Sequence, residues 1–392
     1  MNTRIEDNVL IATPDGNITA TNSDAVGKEL SEILKGRGEL GFAIDASDIT
    51  YVSSSGLRVL MMLSQELDDP IRVFNVGPDL YSIFDITGFT DILKVERKMK
   101  TLDIVGCEIL GKGALGTVYK LDDENIVKVY NNPDCLPVIR RERKLSRLAF
   151  IKGIPTAISY EIVKVGESYG SVFELIDAKN MNELLVSHPD MIDEIVSKYI
   201  ILLKKMHSVT VNSGELPSAK ANFLHYLVNL DGILPKELSE CLRDLLNEMP
   251  EDLHLIHGDI QMKNVMLQGD EPLVIDMETM CTGDPIFELQ ALFMCYRAYN
   301  EDEKDNSEYF LGFDDDFCAK LWDKILHGYF EGLSEDEISV MEDKIKLLGY
   351  LRFLDSIVTN GFTKPELMEI RINHSVRNMS DLITKVHSLS TH

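Results

Sequence analysis

In the segment HLIHGDIQMKNVMLQGDEPLVIDMETMCTGDP, Asp259 and Asn264 stand five residues apart on a short loop, and Asp276 follows the apolar strand PLVI. Phosphoryl transfer needs such a set. One carboxylate orients or deprotonates an acceptor hydroxyl, and an amide and a second carboxylate supply the hard oxygens that suit Mg²⁺. Any one of these residues taken alone would read as an ordinary polar loop residue. The ordered set points to Asp259 as the catalytic group and to Asn264 and Asp276 as metal ligands.

Upstream, EILGKGALGTVYKL carries Gly111, Gly113 and Gly116, then Val118, between β-forming runs. Glycine there lets backbone N–H groups approach phosphate oxygens with no Cβ in the way. A dinucleotide-binding glycine turn would open a helix, whereas TVYKL continues as a strand. The expectation is a strand, a glycine turn and a second strand over nucleotide phosphates. Lys128 in NIVKVY lies on the face opposite Val127 and Val129 and needs a partner. Glu142, in the helical segment VIRRERKLSRL, can supply it while the ammonium also meets phosphate. Further on, SVFELIDAKNMNELL reads as a strand entering a helix, where backbone groups around Glu174 to Ile176 could meet adenine.

These residues, from about 104 to 390, resemble the aminoglycoside phosphotransferase and choline kinase-like branch of the protein kinase-like superfamily. HGDIQMKN and VIDMET carry the likeness, and GDPIFELQ, with Asp284, resembles the segment that follows the metal-binding strand. GKGALGTVYK looks more like the glycine loop of a protein kinase, so the acceptor stays open. The resemblance implies an α+β bilobal fold, with an N-lobe at about 104–178 and a C-lobe at about 179–392, and ATP and Mg²⁺ as cofactors. His257 is expected to be a hydrogen-bonded packing residue and Lys263 a solvated one.

The elements that precede this part form a separate unit. VLIATPDGNITA reads as a hairpin turning at Asp15 and Gly16. An amphipathic helix follows on Val26, Leu30, Ile33 and Leu34, with Thr21, Asn22 and Ser23 offering N-cap oxygens. GFAID, a loop opening the helix of SSSGLRVLMMLSQEL, and IRVFNVG then alternate strand, helix and strand, and YSIFDITGFTDIL ends with Gly88 as a helix C-cap. DASDITYVSSSGLRVL and LYSIFDITGFTDIL resemble STAS domains, the anti-anti-sigma-factor-like family, over about 1–98, which implies an α/β fold. In regulatory members the serine at the start of this helix is phosphorylated. Ser55 occupies that position and Ser54 is its neighbour, while Ser53 stands where many phosphorylated members have Asp. A phosphoserine at a helix N-terminus places about −1.5 to −2 charge against free N–H groups. The alternative is that these serines only cap the helix. ERKMKTLD is weakly patterned and reads as a linker, with the boundary at 99–103.

Composition bounds the rest. With 44% hydrophobic and 27% charged residues, the 392-residue chain has material for two cores. A formal net charge of −26 opposes nucleic acid and anionic membranes as direct partners. The polar, charged opening MNTRIEDNVL is no secretory signal, and no apolar run approaches the roughly 20 residues of a membrane-spanning helix. Six cysteines without a CxxC pair suggest reduced thiols. A cytoplasmic setting follows. After residue 290 the pattern is helical, with amphipathic runs from Glu335 to Ile357 and from Lys364 to Val386. The acidic stretch Glu301 to Glu308 reads as a solvated surface loop, or as an attraction for a cationic acceptor.

The expected function is an ATP- and Mg²⁺-dependent phosphotransferase acting on a hydroxyl of a small molecule or of a protein serine such as Ser55. A protein partner would bind through the STAS-like domain. The alternative is a nucleotide-sensing scaffold that regulates such a partner without catalysis.

Overall fold

The computed structural model describes every residue except Asp68, Ala114, Asp177 and His392. It separates into two compact units, residues 1–103 with 162–167, and residues 104–161 with 168–392.

In the first unit β1 (Asn2–Glu6) pairs antiparallel with β2 (Val9–Thr13), and Ile5 lies opposite Leu10. Asp7 and Asn8, at φ of +46° and +63°, make the two-residue turn. Both residues are expected to tolerate left-handed backbone better than most, and this geometry matches the twist of the flanking strands. The hairpin therefore turns here and not at Asp15–Gly16, where the chain has already left β2. Next come α1 (Ser23–Gly36), β3 (Gly41–Asp45), α2 (Ser54–Gln65), β4 (Arg72–Val76), α3 (Pro78–Ile86) and β5 (Lys94–Arg97). The strands order as β1-β2-β3-β4-β5, with every pair after the first hairpin parallel. Parallel neighbours joined through helices bury both sheet faces. Accordingly, Ile44 and Val73 lie in one core with Leu30, Leu60 and Phe84.

Asn22 does not cap α1 with its side chain; its Oδ1 accepts from the Thr19 N–H, 2.7 Å. Gly88, at φ +74°, does end α3, its N–H donating to the Asp85 carbonyl at 3.2 Å.

Along the chain follow β6 (Lys100–Thr101), β7 (Ile109–Lys112), β8 (Gly116–Lys120), β9 (Asn125–Tyr130), α4 (Leu136–Ile151), β10 (Glu161–Val165) and β11 (Ser168–Glu174). Residues 162–167, which hold most of β10, cluster with the first unit, and Val163 pairs with Lys100. In the second unit β7, β8, β9 and β11 form an antiparallel ribbon in the order β7-β8-β9-β11, and α4 packs on β11.

The remainder is mainly helical: β12 (Lys179–Asn180), α5 (Met181–Ser187), α6 (Ile192–His207), α7 (Ala219–Asn229), α8 (Lys236–Glu248), β13 (Leu255–Ile256), β14 (Val265–Gln268), β15 (Glu271–Val274), β16 (Cys281–Thr282), α9 (Ile286–Phe293), α10 (Tyr299–Glu301), α11 (Glu308–Leu311), α12 (Asp315–Tyr329), α13 (Glu335–Asn360) and α14 (Met368–Leu382). A π-helical turn at Met294–Ala298 joins α9 to α10. The expected stripe on α6 is core: Ile195, Tyr199, Leu202 and Met206 are all buried. Ser334 and Glu337 form a reciprocal capping box that starts the 26-residue α13. The last amphipathic run is shorter than its pattern, because Pro365 opens a 3₁₀ turn and the α-helix begins only at Met368.

The acidic stretch after residue 300 differs from expectation. Glu301 accepts from the Tyr350 hydroxyl, Asp302 from His374, and Glu303 pairs with Lys364 and Arg371. These three carboxylates are committed to packing α10 against α13 and α14, so they form neither a free solvated run nor an open cationic lure. No described helix is long and apolar enough to cross a membrane.

Candidate active site

Lys128 sits in the middle of β9 with Val127 and Tyr130 buried nearby. Its Nζ lies 3.3 Å from Glu142 Oε1 on α4 and 2.5 Å from Asp276 Oδ1, beyond β15. Burial works against this ammonium, but Asp276 and Glu142 outweigh it and raise its pKa above the ordinary lysine value. Glu142 is itself buried and also accepts a hydrogen bond from the Tyr130 hydroxyl. The cluster thus ties the strand ribbon, α4 and the segment after β15 through charge-assisted hydrogen bonds.

The loop expected to carry the catalytic group leaves β13 as His257–Gly258–Asp259. His257 is fully buried, and its Nε2 meets the Ile275 carbonyl at 3.0 Å, so it packs as a hydrogen-bonded residue. Glu288 of α9, also fully buried, accepts from the His257 and Gly258 N–H groups at 2.5 and 3.0 Å. Burial alone would raise the Glu288 pKa, yet the His207 ring, His257 and the Gly258 N–H hold it below the usual carboxylate range. From the other side, Arg352 Nη1 of α13 donates to the Gly258 carbonyl at 2.7 Å. Gly258 is at φ +85°, and a Cβ there would stand 2.8 Å from the Thr279 carbonyl oxygen. The position therefore requires glycine.

Asn264 Nδ2 donates to the Asp259 backbone carbonyl at 2.7 Å, which closes the loop and leaves the amide oxygen outside that bond. The Ile275 N–H donates to the Asn264 carbonyl at 2.9 Å and holds the following Asp276 in register with the loop. Asp276 adopts left-handed backbone, φ +59° and ψ +57°. Burial raises the Asp259 pKa, against the lowering effects of Arg352 and His257. One carboxylate and one amide oxygen, both hard donors, fit Mg²⁺.

The glycines divide by what surrounds them. A Cβ on Gly111 would meet nothing within 4 Å, and one on Gly113 only the Gly116 carbonyl at 3.9 Å, so both leave the room a phosphate needs. A Cβ on Gly116 would stand 2.4 Å from the Val129 carbonyl oxygen. Close approach of β8 to β9 therefore demands Gly116 on its own account. Val118 pairs with Lys128 across these strands. Glu174 ends β11, paired with Asn125; the Leu175 N–H donates to the Glu124 carbonyl and the Ala178 N–H to the Ile176 carbonyl. Two of the expected adenine-binding backbone groups are thus engaged within the chain.

Asp284 is buried and accepts from the Ile286 N–H and from the Thr391 N–H and hydroxyl, which makes it an anchor for the tail. In the first unit Ser53 is the N-cap of α2, its Oγ accepting from the Gly56 N–H at 3.2 Å. Ser53 and Ser55 hydroxyls are 2.9 Å apart, and Ser54 is exposed.

Three residues of the site had no place in the sequence expectation. Glu278 is half-buried; burial raises its pKa against the pull of Lys128, and it feels Glu142, Asp276 and Asp259. Its position two residues after Asp276, within VIDMET, was the available signal. Glu288 lies within GDPIFELQ, four residues after Asp284, which was the available signal, whereas Arg352 acts through a backbone carbonyl and left no motif.

Comparison with known proteins gives two family matches. A model described as the phosphotransferase enzyme family matches residues 106–334, more than half of the chain, and a STAS domain model matches residues 1–102. A protein of Bordetella bronchiseptica named as the anti-sigma factor antagonist BtrV is 28% identical over 92 residues, covering 23% of this chain and 78% of that protein. Among solved structures, the ADP-bound aminoglycoside phosphotransferase APH(2″)-Ib is 16% identical, with a TM-score of 0.49 over 71% of this chain and 95% of its own. The streptomycin–ATP–APH(2″)-IIa ternary complex is 18% identical, with a TM-score of 0.49 over 71% and 93%. A choline/ethanolamine kinase family protein from Mesorhizobium loti is 16% identical, with a TM-score of 0.45 over 71% and 87%.

Proposed function

Because the chain belongs to the phosphotransferase enzyme family and carries an amino-terminal STAS domain, we propose that its second unit transfers the γ-phosphate of ATP to an acceptor hydroxyl with Mg²⁺ as cofactor. The observation that carries this reading is that Lys128 meets both Glu142 and Asp276, and that the Ile275 N–H ties the chain at Asp276 to the Asp259–Asn264 loop.

Lys128, held by Glu142, would turn its ammonium to the nucleotide phosphates, and the open backbone at Gly111 and Gly113 would lie against them. Asn264 and Asp276 would hold Mg²⁺, which when bound neutralises phosphate charge. Asp259 would accept a hydrogen bond from the acceptor hydroxyl, orient its oxygen for in-line attack and take up its proton. The raised pKa that burial gives Asp259 makes it a better proton acceptor than an exposed aspartate. Arg352 and Glu288 would fix the loop that presents it, one on a carbonyl and the other on two N–H groups.

The acceptor is a small molecule or a protein serine, Ser55 or its neighbour Ser54. Covalent linkage raises the effective concentration of those serines to about millimolar when the linker reaches. We extend to the first unit the role named for the Bordetella relative: it would engage a protein partner of the anti-sigma class, in the cytoplasm.

Incubating the protein with Mg²⁺-ATP, with intact-mass and phosphopeptide analysis beside Asp259→Ala, tests the reading. Transfer that disappears in the variant while ATP binding persists is expected. Undiminished turnover in folded Asp259→Ala would remove Asp259 from its role. Nucleotide binding without turnover, coupled to a change in partner affinity, would favour the scaffold reading instead.

A further inference from the structure

Beside the catalytic loop lies a cavity of about 280 Å³, walled by α7 through Asn222 and Tyr226, by Gly258 and Glu278, and by Arg141 of α4 and Arg352 of α13. Gln290 of α9 also lines it. That side chain is fully buried; its Nε2 donates to the Phe287 carbonyl at 2.9 Å, and its Oε1 has no partner. A buried acceptor without a donor is unfavourable; Oε1 has no accessible surface, so it meets a hydroxyl or an N–H in the cavity only when the side chain turns toward it.

Charge narrows the ligand. In a chain of net charge −26, this cavity is lined by two guanidiniums and one carboxylate, Glu278. Arg352 spends Nη1 on the Gly258 carbonyl, and a guanidinium has five N–H donors in a fork that suits carboxylate and phosphate. Size narrows it further. At about 280 Å³ the space falls below the roughly 300–1,000 Å³ of sites for drug-sized ligands. Both counts favour a small anion over a large polycation.

We propose that this cavity binds a small hydroxylated oxyanion, a phosphomonoester or carboxylate of monosaccharide size. Arg141 and Arg352 take its anionic group, and Gln290 Oε1 accepts from one of its hydroxyls. The site stands independently of the phosphotransferase reading, which bears only on whether the ligand is the acceptor or an effector. Because Arg352 is shared between the cavity and the Gly258 carbonyl, occupancy is read directly by the loop that presents Asp259.

Isothermal titration of the full chain with D-ribose 5-phosphate and with D-gluconate, against spermidine as the cationic control, tests it. At least one oxyanion binds and spermidine does not. Affinity falls about tenfold or more in Arg141→Met and in Gln290→Leu, as expected for loss of one charge-assisted or buried hydrogen bond. Arg141 is exposed and its replacement leaves the fold intact, so the test does not depend on Arg352 variants that loosen the loop. Failure of both oxyanions to bind at about 10 mM, a level weaker than any specific site of this kind, overturns the proposal. So does binding of spermidine alone, or oxyanion binding unaffected by both substitutions. Retained ATP binding in those cases leaves the phosphotransferase reading standing. Adding Mg²⁺-ATP to the bound probe separates the two roles: a phosphorylated probe identifies an acceptor, an unchanged one an effector, and either outcome upholds the site.

Discussion

Lys128 Nζ lies 2.5 Å from Asp276 Oδ1, so the strand lysine expected to meet phosphate is paired with the carboxylate expected to hold the metal. On the proposed reading, nucleotide with Mg²⁺ would part the two, and Glu142, 3.3 Å from the same Nζ, would be the partner that keeps Lys128 oriented. Lys128→Met should leave Asp276 unpaired and abolish nucleotide binding measured by calorimetry.

Glu142→Gln tests that retained partnership more gently. It removes one of the two anions beside Lys128 and the carboxylate acceptor of the Tyr130 hydroxyl. ATP affinity should fall about tenfold, near 1.4 kcal/mol. Unchanged affinity in fluorescence titration would separate α4 from nucleotide positioning.

Gly116→Ala and Gly111→Ala should behave oppositely. The first drives a methyl group to 2.4 Å from the Val129 carbonyl and must shift strand backbone, so the melting temperature falls. The second enters open space; it should leave the melting temperature unchanged and weaken ATP binding if phosphate approaches the backbone there. Equal thermal and binding profiles for the two variants would contradict this division.

Glu288→Gln should cost about 1–3 kcal/mol, because it removes the charge that strengthens the bonds from the His257 and Gly258 N–H groups and sets an amide NH₂ where one carboxylate oxygen now accepts. The pH dependence has a defined sign. Since the folded pKa of Glu288 is lowered, its contribution is fully present above the unfolded glutamate value of about 4.3 and is lost as pH falls through the folded value. Thermal melts should therefore show the stability gap between wild type and variant widest near neutrality and narrowing in acid. A gap that grew on acidification would contradict the assignment.

Ser53→Ala removes the N-cap of α2 and should destabilise the first unit by about 1 kcal/mol. Ser54→Ala, at an exposed position with no capping role, should not. Phosphopeptide mapping after Mg²⁺-ATP treatment should find phosphate on Ser55 or Ser54 if the chain modifies itself, and on neither if the acceptor is a small molecule.

The order of elements was legible because it rests on local signals, such as alternation in NIVKVY and the i, i+3, i+4 stripe of α6. Lys128 and Glu142 could be paired in advance because 14 residues and one strand-to-helix crossing separate them. Arg352 could not, because it stands 94 positions along the chain from the carbonyl it serves, and nothing in its neighbours marks it. Glu288 stood inside GDPIFELQ but its role was not legible, since a carboxylate that works on backbone N–H groups needs no particular residue opposite. The first hairpin was misplaced for another reason. Asp-Gly is the stronger turn dipeptide, but Asp7–Asn8 could take the same left-handed conformation and lay between the strands that pair. The acidic stretch looked free because its partners, His374, Lys364 and Arg371, come some 60 to 70 residues later.

Arg352 also limits how the second half of the chain can change its length. It lies well inside the 26-residue α13, whose start is fixed by the Ser334–Glu337 capping box. Each added residue turns a helix by about 100°. A single insertion between the cap and Arg352 would swing the guanidinium off the Gly258 carbonyl and onto another face. Only changes of whole turns would restore its phase, and those would move it along the axis by about 5.4 Å per turn. The segment should therefore accept substitutions readily and resist insertions and deletions.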